Sequence, residues 1–367
     1  MNANQSFFVY VSTRKLMKSL ENLKILSVGS FTLYNESNTC LHRTDAMKEL
    51  GANVTVFDFD PPKILLISRI MGWLFRAGLP IPKADFYRMN AKLLEVCTQD
   101  QWDIVWIDKG LLFGHKTLSK IRALQPKAKI VGYAPDDMNA RHCQSMQFLS
   151  ALPLYDIYFT TKTYNVPELT TLGCKRVEFV VNSYRESFHK PSSPSPEDIA
   201  RVGGDIVFIG HHEKERADDL RFLADHGLPV RIFGPGWEQV KSAKNYEVTH
   251  ASLWGEDYPL ALAASKINLC FLRKINRDQQ TQRTMEIPAC GGFMLAERTE
   301  QHLELFVEGK EAAFFDSRAE LLEKCKYYLE HEEERQAIAE AGRQRCVASG
   351  YSNKANIKRM LETVVGM

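Results

Sequence analysis

A run rich in proline and serine, His189-Lys190-Pro191-Ser192-Ser193-Pro194-Ser195-Pro196, separates two series of alternating strand-like and helix-like segments. Such a composition reads as an extended linker or hinge. Before it, short apolar runs at 24–28 (KILSV), 54–57 (VTVF), 103–107 (DIVWI), 129–133 (KIVGY), 157–160 and 177–181 are separated by helical stretches such as 39–50. After it the alternation restarts, with runs at 205–209 (DIVFI), 230–233 (VRIF), 266–271 (KINLCF), 293–296 (FMLA) and 312–315. Helical stretches at 317–331, 332–345 and 353–365 close the chain. Strands that alternate with helices pair in parallel, and helices then cover both faces of the sheet. At 367 residues the chain is long for one core and ordinary for two. The expectation is an α/β protein of two Rossmann-like domains. An extension at 1–21 precedes a first domain at 22–188, a linker at 189–202, a second domain at 203–350 and a closing helix at 351–367 that crosses back to the first domain.

Composition excludes more than it selects. The chain is 44% hydrophobic and 25% charged, as in ordinary soluble globular proteins. A formal net charge of only +2 gives no support for general nucleic-acid binding. The eight cysteines contain no C-x-x-C pair, and with the ten scattered histidines they give no zinc spacing. They read as reduced, mostly buried thiols of a cytoplasmic protein, with no metal site expected. Near the N-terminus the apolar run 7–11 precedes Arg14, Lys15 and Lys18, the reverse of a signal peptide. No stretch reaches the length of a transmembrane helix. The run 61–83, PPKILLISRIMGWLFRAGLPIPK, is apolar with interspersed Lys63, Arg69, Arg76 and Lys83. It reads either as a buried helix or lid, or as a peripheral contact with an anionic membrane surface at the inner face.

The segment from Arg283 to Gly292, RTMEIPACGG, carries the densest chemistry. Small residues and glycines let backbone approach a ligand closely. A glutamate near the start of a short helix can accept hydrogen bonds from a diol, while the free N–H groups at that helix end favour an anion. A nucleotide sugar offers both, a ribose diol and a diphosphate. A dinucleotide oxidoreductase is disfavoured, because no strand is followed by G-x-G-x-x-G; the loops at 210 and 29 read GHHEKER and GSFTLYN.

Several stretches together resemble a known family. DIVFIGHHEKER (205–216), FGPGW (233–237), NRDQQTQRTMEIPACGGFMLAERT (276–299) and the tail at 308–345 are similar to glycosyltransferases of the GT-B fold. They resemble in particular the spore-maturation-protein-like group, with its glycosyl transferases group 1 C-terminal domain. GYAPDDM (132–138), KTYNVPEL (162–169) and FHKP (188–191) match more loosely. The resemblance implies two Rossmann-like domains facing a cleft, and sugar transfer from a nucleotide-diphosphate sugar to a polysaccharide, glycolipid or protein acceptor. It suggests a place in cell-surface polysaccharide biosynthesis. It implies no cofactor, the nucleotide sugar being the donor substrate, and no bound metal.

Position by position, the resemblance places Glu286 at the ribose hydroxyls and Gly291 and Gly292 where backbone lies close to the donor. Asp278 stands where related enzymes carry the first of two glutamates separated by seven residues. Lys214 and Arg216 follow the Gly210 loop, and with Arg283 they are candidates to face the diphosphate, helped by the helix entered near Thr284. Gly234 and Trp237 belong to the donor side through FGPGW. An inverting reaction needs a base near the acceptor hydroxyl, and Asp136, Asp137 and His115 follow strands of the first domain. Lys109-Gly110 and Arg43 are weaker candidates to line the acceptor side. Bland readings stand beside these: Asp136-Asp137 as a helix cap, Gly234-Pro235-Gly236 as a turn, Trp237 as core, and EKER as a solvated helix face. A nucleotide-sugar epimerase, or a non-catalytic carbohydrate- or nucleotide-binding protein of the same fold, is the rival function. The presence of Arg216, Arg283 and Glu286 counts against the latter.

Overall fold

Successive side chains of a strand point to opposite faces, so a strand buried along its whole length needs cover on both sides. In β1 (Lys24–Gly29) every residue after Lys24 is buried, and β3 (Ile104–Asp108) is buried throughout. With β2 (Asn53–Asp58), β4 (Lys129–Ala134), β5 (Ile157–Thr160) and β6 (Val177–Phe179) they form one parallel sheet in the order β2-β1-β3-β4-β5-β6. Leu26 lies opposite Val105 in this register. This computed structural model describes residues 20–31, 38–59, 73 and 83–367. The N-terminal extension and the run 61–83 lie almost wholly outside the described residues.

Leu26, Val28, Val105 and Ile107 pack on one face against Leu93 and Cys97 of helix Met89–Gln99 and Leu118 and Ile121 of helix His115–Leu124. Ile25, Ile104 and Trp106 pack on the other face against Met47 of helix Thr39–Glu49 and against the closing helix, Asn353–Val365. That helix offers Ile357, Met360, Leu361 and Val364, an i, i+3, i+4, i+7 stripe. It therefore belongs to the first sheet, as the sequence led one to expect.

The second sheet runs β12-β11-β10-β7-β8-β9, again all parallel. Its strands are β7 (Gly204–Ile209), β8 (Val230–Phe233), β9 (Tyr246–Val248), β10 (Ser265–Cys270), β11 (Met294–Glu297) and β12 (Ala313–Phe315). β9 escapes sequence reading because Glu247 stands between Tyr246 and Val248, so that its three residues form no apolar run. Helices Lys214–Asp225 and Arg318–Glu330 cover one face through Leu220, Leu223, Leu321 and Cys325. In chain order this is the doubly wound arrangement, and the strand order reverses between β7 and β10. Ligands of such sheets sit beyond the carboxyl ends of the strands at that reversal.

The chain divides into one unit holding residues up to Val181 plus Lys354–Met367, and another holding Asn182–Asn353. Within the stretch 189–202 expected as linker, Pro196–Val202 is helical. Its signal is Ser195-Pro196-Glu197-Asp198: Ser195 Oγ accepts the Asp198 N–H at 3.1 Å, and the Asp198 carboxylate accepts the Ser195 N–H at 3.1 Å. That is a reciprocal cap with proline at the first helical position.

Candidate functional site

The crevice beyond β7 and β10 is built from glycine and arginine. β7 ends at Gly210, whose N–H donates to the Phe233 carbonyl at 2.8 Å and whose carbonyl accepts from Trp237 Nε1 at 2.9 Å. Gly234, at φ +134°, lies so close that a Cβ there would overlap the Gly210 carbonyl. Trp237 is buried against Phe208 and His212 and so pins the two glycine turns together.

Two arginines converge on this loop from different helices. Arg216 comes from helix Lys214–Asp225 after β7, and Arg283 from helix Gln282–Ala289 after β10. Their guanidinium carbons lie 5.8 and 6.0 Å from the centroid of the same Phe208 ring. A Cβ on Gly210 would stand 2.7 Å from the Phe208 ring, so the bare glycine makes room for that ring, with Arg283 Nη1 next at 3.4 Å. Arg216 is only 3% exposed. Its Nη1 donates to the His211 carbonyl at 3.3 Å and its Nη2 lies 3.5 Å from Glu213 Oε2. Nε and Nη2 of Arg216, and Nε of Arg283, are buried without a hydrogen-bond partner. Burial first, and the neighbouring Arg283 charge second, push the Arg216 guanidinium below its ordinary pKa. Two cations side by side with unspent donors are costly alone and are relieved by an anion. Helix Lys214–Asp225 has no side-chain cap hydrogen bond at its start, the end of a helix whose N–H groups favour an anion. Lys214 itself projects into solvent, where it pairs with Asp218 at 2.9 Å.

One helical turn after Arg283, and so on the same face, stands Glu286, 7% exposed. Its Oε2 accepts the Tyr258 hydroxyl at 2.5 Å, and its Oε1 lies 3.5 Å from His189 Nε2. His189 Nδ1 accepts the Arg185 N–H at 3.0 Å, which leaves the ring proton on Nε2 facing the carboxylate. Burial, and next the Arg185 charge, lower the His189 pKa to about 3, so the ring is neutral near pH 7. Thr284 turns inward. Its hydroxyl accepts the Thr281 N–H at 3.0 Å and lies 2.9 Å from His302 Nε2, and so holds the helix start.

Gly291 and Gly292 sit at the far end of this helix, roughly 12 Å beyond Thr284 at the usual rise per residue. Gly291, at φ +77°, ends the helix, and a Cβ on Gly292 would stand 2.8 Å from both Asn268 Nδ2 and the Leu262 carbonyl. They close a tight helix-to-strand turn. Asp278 locks its own loop: Oδ1 accepts Asn276 Nδ2 at 2.7 Å and Oδ2 accepts the Arg273 N–H at 3.3 Å.

In the first unit, Asp136 is paired with Lys109 at the ends of β4 and β3. Lys109 and Gly110 are both left-handed, at φ +59° and +70°. Asp137 is fully buried, and its Oδ1 accepts the N–H groups of Asn139 (3.1 Å) and Ala140 (3.2 Å) and Asn165 Nδ2 (2.8 Å). His115 is exposed at the first position of its helix, with Nδ1 3.4 Å from Ser119 Oγ. Arg43 is buried against Asp108, Nη2 to Oδ1 at 2.5 Å, and lies over the Tyr133 ring. The structure thus brings Gly210, Arg216, Gly234, Trp237 and Arg283 together, with Glu286 one turn on, and leaves Lys214 outside. His189 and Tyr258 escaped sequence reading. His189 carries a signal, the FHKP stretch, whereas nothing around Tyr258 in DYPLALAA marks it.

Among the described residues, no group of three or more His, Cys, Asp or Glu is placed to hold a metal ion. No helix among them is long and apolar enough to cross a membrane.

Residues 215–362 match the model of the family described as "Glycosyl transferase-like". No curated protein sequence matches the chain. The whole architecture is similar to that of solved structures. HepE of Anabaena, in complex with UDP-glucose, is 14% identical with a TM-score of 0.62, over 94% of this chain and 100% of that one. Sucrose-phosphate synthase from Thermosynechococcus elongatus is 11% identical with a TM-score of 0.62, over 93% and 98%. An α-glucosyltransferase in complex with UDP and a mismatched 13-mer DNA is 12% identical with a TM-score of 0.63, over 94% and 100%. The fold is that of the GT-B glycosyltransferases.

Proposed function

We propose that the chain is a glycosyltransferase that moves a sugar from a nucleotide-diphosphate donor to a carbohydrate, lipid-linked or protein acceptor. The observation that carries this reading is the convergence of Arg216 and Arg283 on the Gly210 loop, with buried N–H groups unspent and Glu286 one turn away. Departure of a nucleoside diphosphate builds negative charge on its terminal phosphate. Preorganised arginine forks and helix N–H groups stabilise that charge without reorganising. These residues can do so without a metal. Glu286 accepts the ribose hydroxyls. The match at 215–362 and the UDP-bound solved structures of the same fold support a sugar donor over other diphosphates. The motif order at 205–216, 233–237 and 276–299 supports a proposed kinship with the spore-maturation-protein-like group.

Asp137, Thr284, Trp237 and Gly292 hold loops in this account. Asp136, paired with Lys109 at the carboxyl edge of the first sheet, is the acceptor-side group best placed to take a proton. The eight cysteines form no disulfide with one another, which fits a cytoplasmic setting. The test is release of nucleoside diphosphate from a panel of nucleotide sugars, by the wild type and by Glu286→Ala and Arg283→Met. Release by the wild type and its loss in both variants, with melting temperatures kept, is expected. Equal release in the variants would refute the assignment.

A further inference from the structure

We infer that Tyr258 and His189 are positioning residues that fix the Glu286 carboxylate, so that the site selects a ribonucleoside over a deoxyribonucleoside diphosphate. The inference rests on the donor-site reading above. A carboxylate on one turn of a helix rotates about three side-chain bonds, and a vicinal diol is recognised only when both carboxylate oxygens hold fixed places. Here each oxygen faces a donor from a different element. Tyr258, on helix Asp257–Ala263, donates to Oε2 at 2.5 Å, and His189, from the start of the proline-serine run, faces Oε1 at 3.5 Å. The two positioning rings also meet each other edge to face at 5.9 Å. His189 is itself held from behind by the Arg185 N–H on Nδ1 and by the Phe188 ring at 4.8 Å.

The backing shell is therefore set in one tautomer: a hydroxyl and a neutral imidazole, both donors. Neither brings a positive charge that would compete with the diol for the carboxylate. A site built to receive hydroxyl groups rejects analogues that lack them, because its buried polar atoms are then left unpaired. Discrimination by the ribose hydroxyls thus depends on groups that never touch the nucleotide.

The experiment uses calorimetry on the intact chain. The nucleoside diphosphate that binds most tightly among ADP, CDP, GDP and UDP is compared with its 2′-deoxy and 3′-deoxy analogues. The proteins are the wild type, Tyr258→Phe and His189→Phe, with Glu286→Gln as reference. The wild type is expected to prefer the ribonucleotide by about tenfold or more, the worth of one hydrogen bond to a charged group. Tyr258→Phe keeps the ring and loses only the hydroxyl. It should weaken the ribonucleotide while leaving the deoxy analogues nearly unchanged, so that the preference narrows. A merely structural role would weaken all three nucleotides alike, and that result, or an unchanged preference in Tyr258→Phe, overturns the inference. A wild type that binds both kinds equally overturns it while leaving the donor site standing. A wild type that binds no nucleotide overturns the donor site and this inference together.

Discussion

At the scale of single residues, Arg216 gives the proposed anion site an energetic argument. It is buried beside a second cation with two nitrogens lacking hydrogen-bond partners, and each such group costs about 1–3 kcal/mol. Arg216→Met should therefore raise the melting temperature of the unit that carries it by about 2–4 °C per kcal/mol recovered, yet abolish stabilisation by a nucleoside diphosphate. Melting curves with and without ligand check both halves; a variant that is less stable and still binds would contradict the account. The charged residues that come together at the proposed site, Arg216, Arg283 and Glu286, were singled out in the sequence. Their position next to glycines at strand-helix junctions was the signal, although EKER also reads as a solvated helix face. Tyr258 and His189 were not, because they act on Glu286 across 28 and 97 residues of chain, and only the folded sheet brings them there. Trp237 and Asp137 read equally well as site or scaffold, since burial, which decides between the two, is not written locally.

At the scale of elements, helix Gln282–Ala289 is held at its start by a buried histidine. His302 Nδ1 lies 2.6 Å from the Glu297 carbonyl and Nε2 2.9 Å from Thr284 Oγ1, an arrangement that a neutral ring satisfies by donating from Nδ1 and accepting the Thr284 hydroxyl on Nε2. Burial lowers the His302 pKa to about 4. Because the folded pKa lies below the unfolded value of about 6.5, the unfolded chain binds more protons between the two. The contribution, on the order of 3 kcal/mol, is present above pH 6.5 and is lost progressively as pH falls towards 4. Melting temperature against pH should drop across that window, and the drop should be shallower in His302→Gln; parallel curves would exclude the histidine. At the other side of the crevice, Gly234→Ala places a Cβ against the Gly210 carbonyl at a φ that only glycine adopts readily. A loss of about 1–3 kcal/mol is expected in denaturant titration. The strands of both sheets were legible from their apolar runs, except β9, whose Glu247 interrupts the run between Tyr246 and Val248. Helix Pro196–Val202 starts at the end of a run whose prolines and serines read as linker until the cap at Ser195 is noticed.

At the scale of the whole molecule, the chain leaves the first unit at Val181 and re-enters it at Lys354. The closing helix is part of the first core, so Leu361→Ala, at a fully buried position, should cost about 2–5 kcal/mol there. Calorimetry should show the first unit melting earlier, with nucleotide affinity in the second unit unchanged below that transition. Loss of affinity before any unfolding would show that the two are not separable in this way. The two-sheet architecture could be read from the restart of the alternation after residue 196, whereas the identity of the acceptor could not, because the residues of the first unit that follow its strands serve loops and caps as readily as substrates. The most direct test of the central claim is the melting temperature of the intact chain with a saturating nucleoside diphosphate, for the wild type and for Arg283→Met. A ligand that binds only the folded state at about one hundred times its Kd adds about 2.7 kcal/mol. The account expects a clear rise in the wild type for one nucleoside diphosphate and none in Arg283→Met; no rise for any of them, or an equal rise in the variant, would contradict it.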